Sequence, residues 1–198
     1  MSSTNRGAVR NKDDYYVTPH WLIEQFLDAI KGTDLEKRLM TDDVLDPSCG
    51  GCSLYEPSYP AVLAQRFNDI NLTTADIRID ARTPFAGLDF LESRGVGDYG
   101  VVITNPPFNI SIDFVNKALE HVCHGGYVVM LQRLNWLGTK DRKAFWDTAP
   151  LQSVYVHSKR PSFFPDKKGK TDSIEYAHFV FKKGSKGTTP NPATIHVI

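Results

Sequence analysis

Residues 104 to 108 read T-N-P-P-F and directly follow the apolar run G-V-V-I at 100–103. Proline fixes its own φ and donates no backbone hydrogen bond, so this corner is stiff and cannot continue a sheet ladder. Strand termination is the simpler interpretation, but it requires neither an asparagine nor an aromatic residue. We therefore interpret the segment as a site that presents fixed hydrogen-bond acceptors and an aromatic ring to a ligand.

Three acidic residues occupy comparable places in the sequence. Asp46, Asp76 and Asp89 each come at or just after the end of a predicted strand, as Asn105 does. A single carboxylate at such a place more commonly caps a turn or helix. Four polar residues at four strand ends are more informative, because open α/β sheets bind ligands at the carboxyl ends of their strands.

The elements that position these residues alternate between strand and helix patterns. Runs 101–104 and 127–131 are apolar throughout, as expected of parallel strands buried on both faces. Such alternation predicts an α/β fold with a doubly wound, mostly parallel sheet and helices on both faces. The predicted strands are 44–48, 72–77, 86–90, 100–104, 126–132, 153–157 and 176–182. The predicted helices are 19–30 (with Thr18 as N-cap and Pro19 in the first position), 54–67, 111–123 and 139–146.

A glycine-rich turn, D-P-S-C-G-G at 46–51, follows the first predicted strand. Glycines let the backbone approach a ligand closely, and the N-terminus of the following helix offers unpaired N–H groups. Asp76 comes at a suitable distance along the chain for an acid that binds ribose hydroxyls. Because neither G-x-G-x-x-G nor a Walker sequence occurs, we favour a nucleoside-type cofactor without a pyrophosphate.

The order of these motifs resembles that of S-adenosylmethionine-dependent amino methyltransferases, in which [N/D/S]-P-P-[Y/F/W] marks enzymes that methylate exocyclic or amide nitrogens. D-Y-Y-V-T-P at 14–19 is similar to the Tyr-x-Thr-Pro element of DNA adenine-N6 methyltransferases. K-R-P-S-F-F at 159–164, followed by G-K-T-D-S-I-E-Y-A-H-F-V-F at 169–181, resembles the C-terminal part of small phage-type, Dam-like enzymes. The resemblance covers residues 14–182.

The resemblance implies a Rossmann-like class I methyltransferase with seven strands, the last one antiparallel. It implies methyl transfer from S-adenosylmethionine to N6 of adenine in DNA, which yields S-adenosylhomocysteine, after the base is flipped from the duplex. The side-chain oxygen of Asn105 and the carbonyl of Pro106 would accept the amino protons. Pro106 and Pro107 would hold that geometry, and Phe108 would stack on the base. Such a direct transfer requires no cysteine or histidine nucleophile.

The resemblance also maps cofactor contacts onto this chain. The turn after the first strand would lie beneath the methionine moiety, Asp76 would bind the ribose, and Asp89 and Phe90 would lie by the adenine ring. Residues just before the first helix would close over the methionine end. The full set is Tyr16, Thr18, Pro19, Asp46, Ser48, Gly50, Asp76, Asp89, Phe90 and Asn105. Two positions depart from the family: Cys52 replaces a usual glycine, and His178 replaces an expected aromatic such as tryptophan.

The charge is unevenly distributed, although the chain has 23 basic and 23 acidic residues. Residues 133–170 carry nine Lys and Arg against three Asp and Glu, a balance of +6. A local basic stretch favours a polyanionic partner, although a solvated lysine-rich loop is the simpler alternative. We expect the insertion 133–173 to contact DNA, with RNA as the alternative. Its candidate phosphate contacts are Arg133, Lys140, Arg142, Lys143, Lys159, Arg160, Lys167, Lys168 and Lys170.

The 198 residues fit one domain. We expect a flexible N-terminal tail at 1–13, a methyltransferase domain at 14–183 and a C-terminal tail at 184–198. No apolar run is long enough for a membrane span or a signal core, and three cysteines give no disulfide framework, which favours the cytoplasm. Cys49-x-x-Cys52 lacks a second pair, so we expect buried thiols and no metal site. A monomer is compatible with the sequence.

Other functions share parts of this pattern. RNA adenine or guanine amino methyltransferases also use N-P-P-F and often lack a recognition domain. Protein glutamine methyltransferases share N-P-P but usually continue with tyrosine, and the basic stretch argues against them. A non-catalytic nucleic-acid-binding module on a methyltransferase fold is disfavoured by the intact Asn105 and the acidic strand ends.

Overall fold

The computed structural model describes residues 16–95, 97–163, 172–184 and 192–198, and within them eight strands form a single sheet. The strands are β1 Val44–Asp46, β2 Leu72–Asp76, β3 Phe85–Ala86, β4 Tyr99–Thr104, β5 Val122–Arg133, β6 Leu151–Val156, β7 Tyr176–Lys182 and β8 Thr194–Val197. Their spatial order is β3-β2-β1-β4-β5-β7-β6-β8. β7 runs antiparallel to its neighbours, β5 and β6, whereas the other described strand pairs are parallel. The sheet is therefore mostly parallel.

Helices cover both faces of the sheet. They are α1 His20–Ala29, α2 Asp34–Thr41, α3 Ser58–Arg66, α4 Ser111–His121 and α5 Lys143–Thr148. α1, α2 and α3 pack on one face, against a core that includes Val101 and Ile103 of β4. α4 and α5 pack on the other face, where the intervening Val102 points. The period-two alternation within an entirely apolar strand thus serves two cores.

The chain changes direction across the sheet between β1 and β4. From β1 it winds outward through β2 and β3, then returns to add β4 and β5 on the other side of β1. This topological switch point opens a crevice between the carboxyl ends of β1 and β4. Asp46 ends β1 and Thr104 ends β4, so the two sequence motifs of greatest interest meet there.

The antiparallel seventh strand was predicted correctly, but the sheet has eight strands and not seven. β8 lies within 184–198, the segment that we expected to be a tail, and pairs in parallel with β6. All four residues of β8 are exposed, so they show no alternating burial pattern. Backbone pairing holds the strand, together with a stack of the His196 ring on Tyr155 at 4.6 Å. Residues 1–13, expected to form the other tail, lie outside the described residues.

Two helix predictions also need correction. α1 begins at His20 with Pro19 in the N-cap position, so Thr18 does not cap it. α2 was not predicted, because D-L-E-K-R-L-M-T is mostly polar and buries only Leu35 and Leu39. Its start is marked by Thr33, whose hydroxyl accepts from the N–H of Glu36 at 3.3 Å. Among the described residues, no helix combines the length and the apolar character that crossing a bilayer requires.

Candidate active site

Asp46 lies at the centre of the switch point and is almost completely buried. Its Oδ1 accepts hydrogen bonds from the Thr104 hydroxyl at 2.6 Å and from the Ser48 N–H at 3.3 Å. Burial raises the pKa of the carboxyl to about 7, although both hydrogen bonds oppose that shift. Oδ2 is buried and has no partner among the described residues. A carboxylate held by one oxygen in this way can accept a hydrogen bond from a cationic ligand with the other.

The glycine-rich turn is shaped by residues in the left-handed region. Gly50 and Gly51 have φ values of 70° and 79°, and a Cβ on Gly51 would come within 2.8 Å of the Pro57 side chain. The Gly50 N–H donates to Asp76 Oδ2 at 2.8 Å, and the Arg78 N–H donates to Asp76 Oδ1 at 2.8 Å. Each carboxylate oxygen keeps a second acceptor site for a ligand hydroxyl. The turn and Asp76 therefore form one cradle.

Asn105 is held in a defined orientation. Its amide Nδ2 donates to the hydroxyl of Thr18 at 3.0 Å. The Ser48 hydroxyl, itself 2.6 Å from the Thr104 hydroxyl, donates to the Asn105 backbone carbonyl at 3.2 Å. The amide Oδ1 is buried and lacks a partner within the described part of the chain. Since buried acceptors in proteins are normally paired, an open Oδ1 marks the place where a donor is missing.

Two clefts adjoin at Asn105. The first has a volume of about 560 Å³ and the second about 580 Å³, and Tyr16, Asn105 and Phe108 line both. We call the first, which contains the glycine turn, the cofactor cleft. Its lining residues are Tyr16, Thr18, Ser48, Cys49, Gly50, Gly51, Ser58, Tyr59, Asn105, Pro106, Pro107 and Phe108. We call the second the acceptor pocket, lined by Tyr16, Asn105, Phe108, Arg133, Phe163, Asp172 and Tyr176.

Aromatic rings form most of the acceptor pocket. The Tyr176 ring centroid is 6.0 Å from that of Phe108 and 4.9 Å from that of Phe163. The guanidinium carbon of Arg133 lies over the Phe108 ring, 5.4 Å from its centroid. The Tyr176 hydroxyl donates to Asp172 at 2.6 Å, and burial raises the pKa of this tyrosine. Several rings with one cation and one anion suit a flat, polar-edged ligand.

Most of the predicted cofactor residues converge, but not all. Tyr16, Thr18, Ser48, Gly50 and Asn105 line the cofactor cleft, and Asp46 and Asp76 lie directly behind its turn. The structure places three predicted residues elsewhere. The Asp89 side chain caps a short turn by accepting from the Leu91 N–H at 2.9 Å. The Phe90 ring is buried against Phe114 at 5.2 Å, and Pro19 caps α1.

Several lining residues were missed by the sequence reasoning. Ser58 and Tyr59 are the first residues of α3 and line the cofactor cleft. The sequence could have indicated them, because a helix N-terminus was expected after the glycine turn. Asp172 and Tyr176 come from the segment leading into β7 and from its first residue, and had no local signal. Arg133 was assigned to phosphate contacts but lies in the acceptor pocket.

Most of the described basic residues beyond β5 already have partners. Arg142 donates to the carbonyls of Trp136 and Gly138 at 3.2 and 3.0 Å. Lys143 pairs with Asp147, and Arg160 with Glu175 at 2.5 Å. Lys159 lies over the Trp21 ring at 4.7 Å, and Lys140 is exposed. Exposed ion pairs are weak and can exchange for phosphate, so DNA contact remains a prediction. Lys167, Lys168 and Lys170 lie outside the described residues.

The cysteine motif is part of the turn. Cys49 is buried, and burial raises the pKa of its thiol, which disfavours the thiolate form that binds metals. Among the described residues, no group of three His, Cys, Asp or Glu side chains is arranged to hold a metal ion.

The sequence matches no protein-family model and no curated protein. The fold, however, resembles solved structures. A Listeria monocytogenes protein assigned to the class I S-adenosylmethionine-dependent methyltransferases has a TM-score of 0.63 at 14% identity, over 92% of this chain and 65% of that chain. The M protein of the type I restriction enzyme EcoKI has a TM-score of 0.58 at 16% identity, over 92% of this chain and 48% of that chain. The type IIG restriction endonuclease BpuSI has a TM-score of 0.59 at 14% identity, over 88% of this chain and 26% of that chain.

This chain thus spans less than two thirds of each of these three structures. At such identities the likeness establishes the fold. The chain adopts the Rossmann-like class I methyltransferase fold, as the sequence predicted.

Proposed function

We propose that the chain transfers a methyl group from S-adenosylmethionine to N6 of adenine in DNA. The observation that carries this proposal is the open, buried Oδ1 of Asn105 at the junction of two clefts. An acceptor at that place can bind an amino group held in one cleft and direct it towards a methyl donor held in the other. The structural neighbours that belong to restriction enzymes support DNA as the substrate.

The residues of the first cleft fit S-adenosylmethionine. The free Oδ2 of Asp46 suits the ammonium of its methionine moiety. The glycine turn leaves room that a Cβ at Gly51 would fill, and Asp76 behind it suits the ribose hydroxyls. When bound, the cofactor supplies an activated methyl group on a sulfonium. Tyr16 and Thr18 would cover it from the side of α1.

Asn105 and its neighbours would perform the chemical step in the second cleft. The lone pair of an adenine amino group is delocalised into the ring, so the nitrogen is a weak nucleophile. Oδ1 of Asn105 and the carbonyl of Pro106 would accept its two N–H groups and favour a pyramidal nitrogen. The nitrogen would take the methyl group that the sulfonium releases, and would lose one proton to solvent. The prolines keep these acceptors fixed, which is catalysis by preorganisation.

The aromatic walls favour a base over a protein amide. Phe108, Phe163 and Tyr176 present ring faces and edges to the acceptor pocket. Stacking on such rings stabilises any nucleobase by about 1–3 kcal/mol, whereas a glutamine amide gains little from them. The base must leave the helical stack to reach the pocket, so flipping is part of the proposal.

A labelled-methyl assay tests this function. The protein is incubated with S-adenosylmethionine carrying a labelled methyl group and with duplex DNA, single-stranded DNA or RNA, followed by nucleoside analysis. We expect label in N6-methyl-2′-deoxyadenosine from DNA, and about 10²- to 10³-fold less with the Asn105→Ala variant. Label only in RNA would overturn the choice of substrate. Absence of label in all three, with bound cofactor, would favour a non-catalytic binding module.

A further inference from the structure

A buried chain of hydrogen bonds runs from α1 to the cofactor cleft through two histidines. The His178 ring, fully buried in β7, has Nε2 at 2.8 Å from the Tyr59 hydroxyl and Nδ1 at 2.8 Å from Nε2 of His157. Nδ1 of His157 is in turn 2.8 Å from Oε1 of Gln25 in α1. We call Gln25, His157, His178 and Tyr59 the imidazole chain.

The imidazole chain has a consistent direction when both histidines are neutral. Burial lowers the pKa of His157 to about 4 and that of His178 well below its usual value, so each ring carries one N–H at neutral pH. Because Oε1 of Gln25 can only accept, His157 Nδ1–H donates to it and His178 Nδ1–H donates to His157. The Tyr59 hydroxyl then donates to His178 Nε2. Every polar atom along the path is thereby paired.

Packing alone does not require these polar groups. The surrounding core is apolar, and Phe26 stacks on His178 at 4.2 Å with an interplanar angle of 17°. An aromatic residue, which the family resemblance implies at position 178, would stack there equally well. Polar groups in such a core are costly unless every bond is made, but a complete network fixes one geometry.

One end of the imidazole chain lines the cofactor cleft, and the other lies in the helix that follows two residues of its lining, Tyr16 and Thr18. Tyr59 itself lines the cleft and belongs to α3, which Ser58 begins. Gln25 belongs to α1, and the residues just before α1 include Thr18, which orients Asn105. His178 belongs to β7 and His157 directly follows β6, and neither lines the cleft. The imidazole chain therefore connects α1 and α3 to a rigid part of the sheet.

We propose that His178, His157 and Tyr59 are positioning residues for cofactor binding, because their hydrogen bonds hold α1 and α3 at the spacing that the cofactor cleft requires. This inference rests on the proposed function, since it assumes that the cleft binds S-adenosylmethionine. His178 then has a reason to replace the aromatic residue of the family.

The test measures the Kd of S-adenosylhomocysteine by calorimetry and stability by thermal unfolding in the full chain. Tyr59→Phe removes one hydroxyl and keeps the ring, so we expect a folded protein whose Kd rises roughly 3- to 10-fold. His178→Phe keeps the stack on Phe26 and should raise the Kd at least as much. In the double variant Tyr59→Phe/His178→Phe both partners of one hydrogen bond are gone, so the effects of the two substitutions on the Kd should be less than additive. Tyr155→Phe removes a hydroxyl from the same core but outside the imidazole chain, so it should leave the Kd unchanged.

A spectroscopic readout separates positioning from plain stability. Imidazole ¹⁵N signals of His178 should shift when S-adenosylhomocysteine is added to the wild type, and the shift should be lost in Tyr59→Phe. Variants that unfold at lower temperature yet bind with the wild-type Kd would overturn the inference. A wild type that does not bind S-adenosylhomocysteine at all would overturn the proposed function itself, and the two failures are thus distinguishable.

Discussion

The cofactor cleft and the acceptor pocket share Asn105, yet they are built from different chemistry. The cofactor cleft is lined by left-handed glycines and hydroxyls, and the two buried carboxylates behind its turn are held by backbone N–H groups and a threonine hydroxyl. The acceptor pocket consists mainly of aromatic side chains around one guanidinium and one carboxylate. We expect the first to select its ligand by fixed polar geometry and the second by planarity. Substitutions in each should therefore affect one ligand and spare the other.

Asn105→Ala should give the largest effect, because it removes the acceptor that both clefts share. We expect methyl transfer to fall by about 10²- to 10³-fold, in the range found when one preorganised hydrogen-bond partner is deleted. S-adenosylhomocysteine affinity should change only a few-fold, because the cradle of Asp76 and Gly50 is intact. Single-turnover rates and calorimetry measure the two quantities. A variant that transfers methyl groups at the wild-type rate would remove Asn105 from the chemistry.

Asp76→Ala should break the cofactor cleft alone. It removes the partner of Gly50 and the expected ribose ligand, so S-adenosylhomocysteine affinity should fall by at least about 10-fold. DNA affinity, measured by fluorescence anisotropy at fixed salt, should stay near that of the wild type. Asp89→Ala is a useful comparison, because that carboxylate caps the turn at Leu91, whereas Asp76 holds the glycine turn. Unchanged cofactor affinity in Asp76→Ala would exclude it from the site.

Phe108→Ala should weaken the acceptor pocket. Loss of one stacking surface should raise the KM for DNA by roughly 5- to 100-fold, since a base–ring stack contributes about 1–3 kcal/mol. Cofactor affinity should change much less, because the polar cradle is retained. Phe85→Ala, which truncates an exposed ring on β3, serves as the matched control. Equal KM values for both variants would argue against base stacking on Phe108.

Acid stability tests the buried titratable groups on the side of the cofactor cleft. His157 has a lowered pKa of about 4, so the unfolded chain binds more protons between pH 6.5 and 4, and this group destabilises the fold as the pH falls. Asp46 has a raised pKa of about 7, so the folded protein binds more protons between pH 7 and 4. This group therefore stabilises the fold as the pH falls. These two contributions largely cancel, so their sum is about 1 kcal/mol or less, and His178, whose pKa burial also lowers, adds a further loss of stability in acid. Urea unfolding of Asp46→Asn should show a steeper loss in acid; a curve parallel to that of the wild type would contradict this assignment.

The sequence predicted the parts of the site that depend on local chemistry. Asp46, Asp76 and Asn105 could be assigned because strand ends in a parallel sheet share one edge, and all three lie there. Tyr176 could not, since its approach to Phe108 depends on how the antiparallel β7 reaches the acceptor pocket. Arg133 was counted as a surface charge, because a charge balance carries no information on which side chain turns inward. Phe90 was placed by resemblance, but its ring completes the core beside α4.

A crystal structure with bound S-adenosylhomocysteine tests the central claim most directly. We expect the ribose hydroxyls of the ligand to bind Asp76 and the amino group of its homocysteine moiety to lie beside Asp46. Its sulfur should face the side-chain oxygen of Asn105 at the boundary of the acceptor pocket. Binding of the ligand elsewhere, or with its sulfur directed away from Asn105, would contradict the account of two clefts that meet at one acceptor.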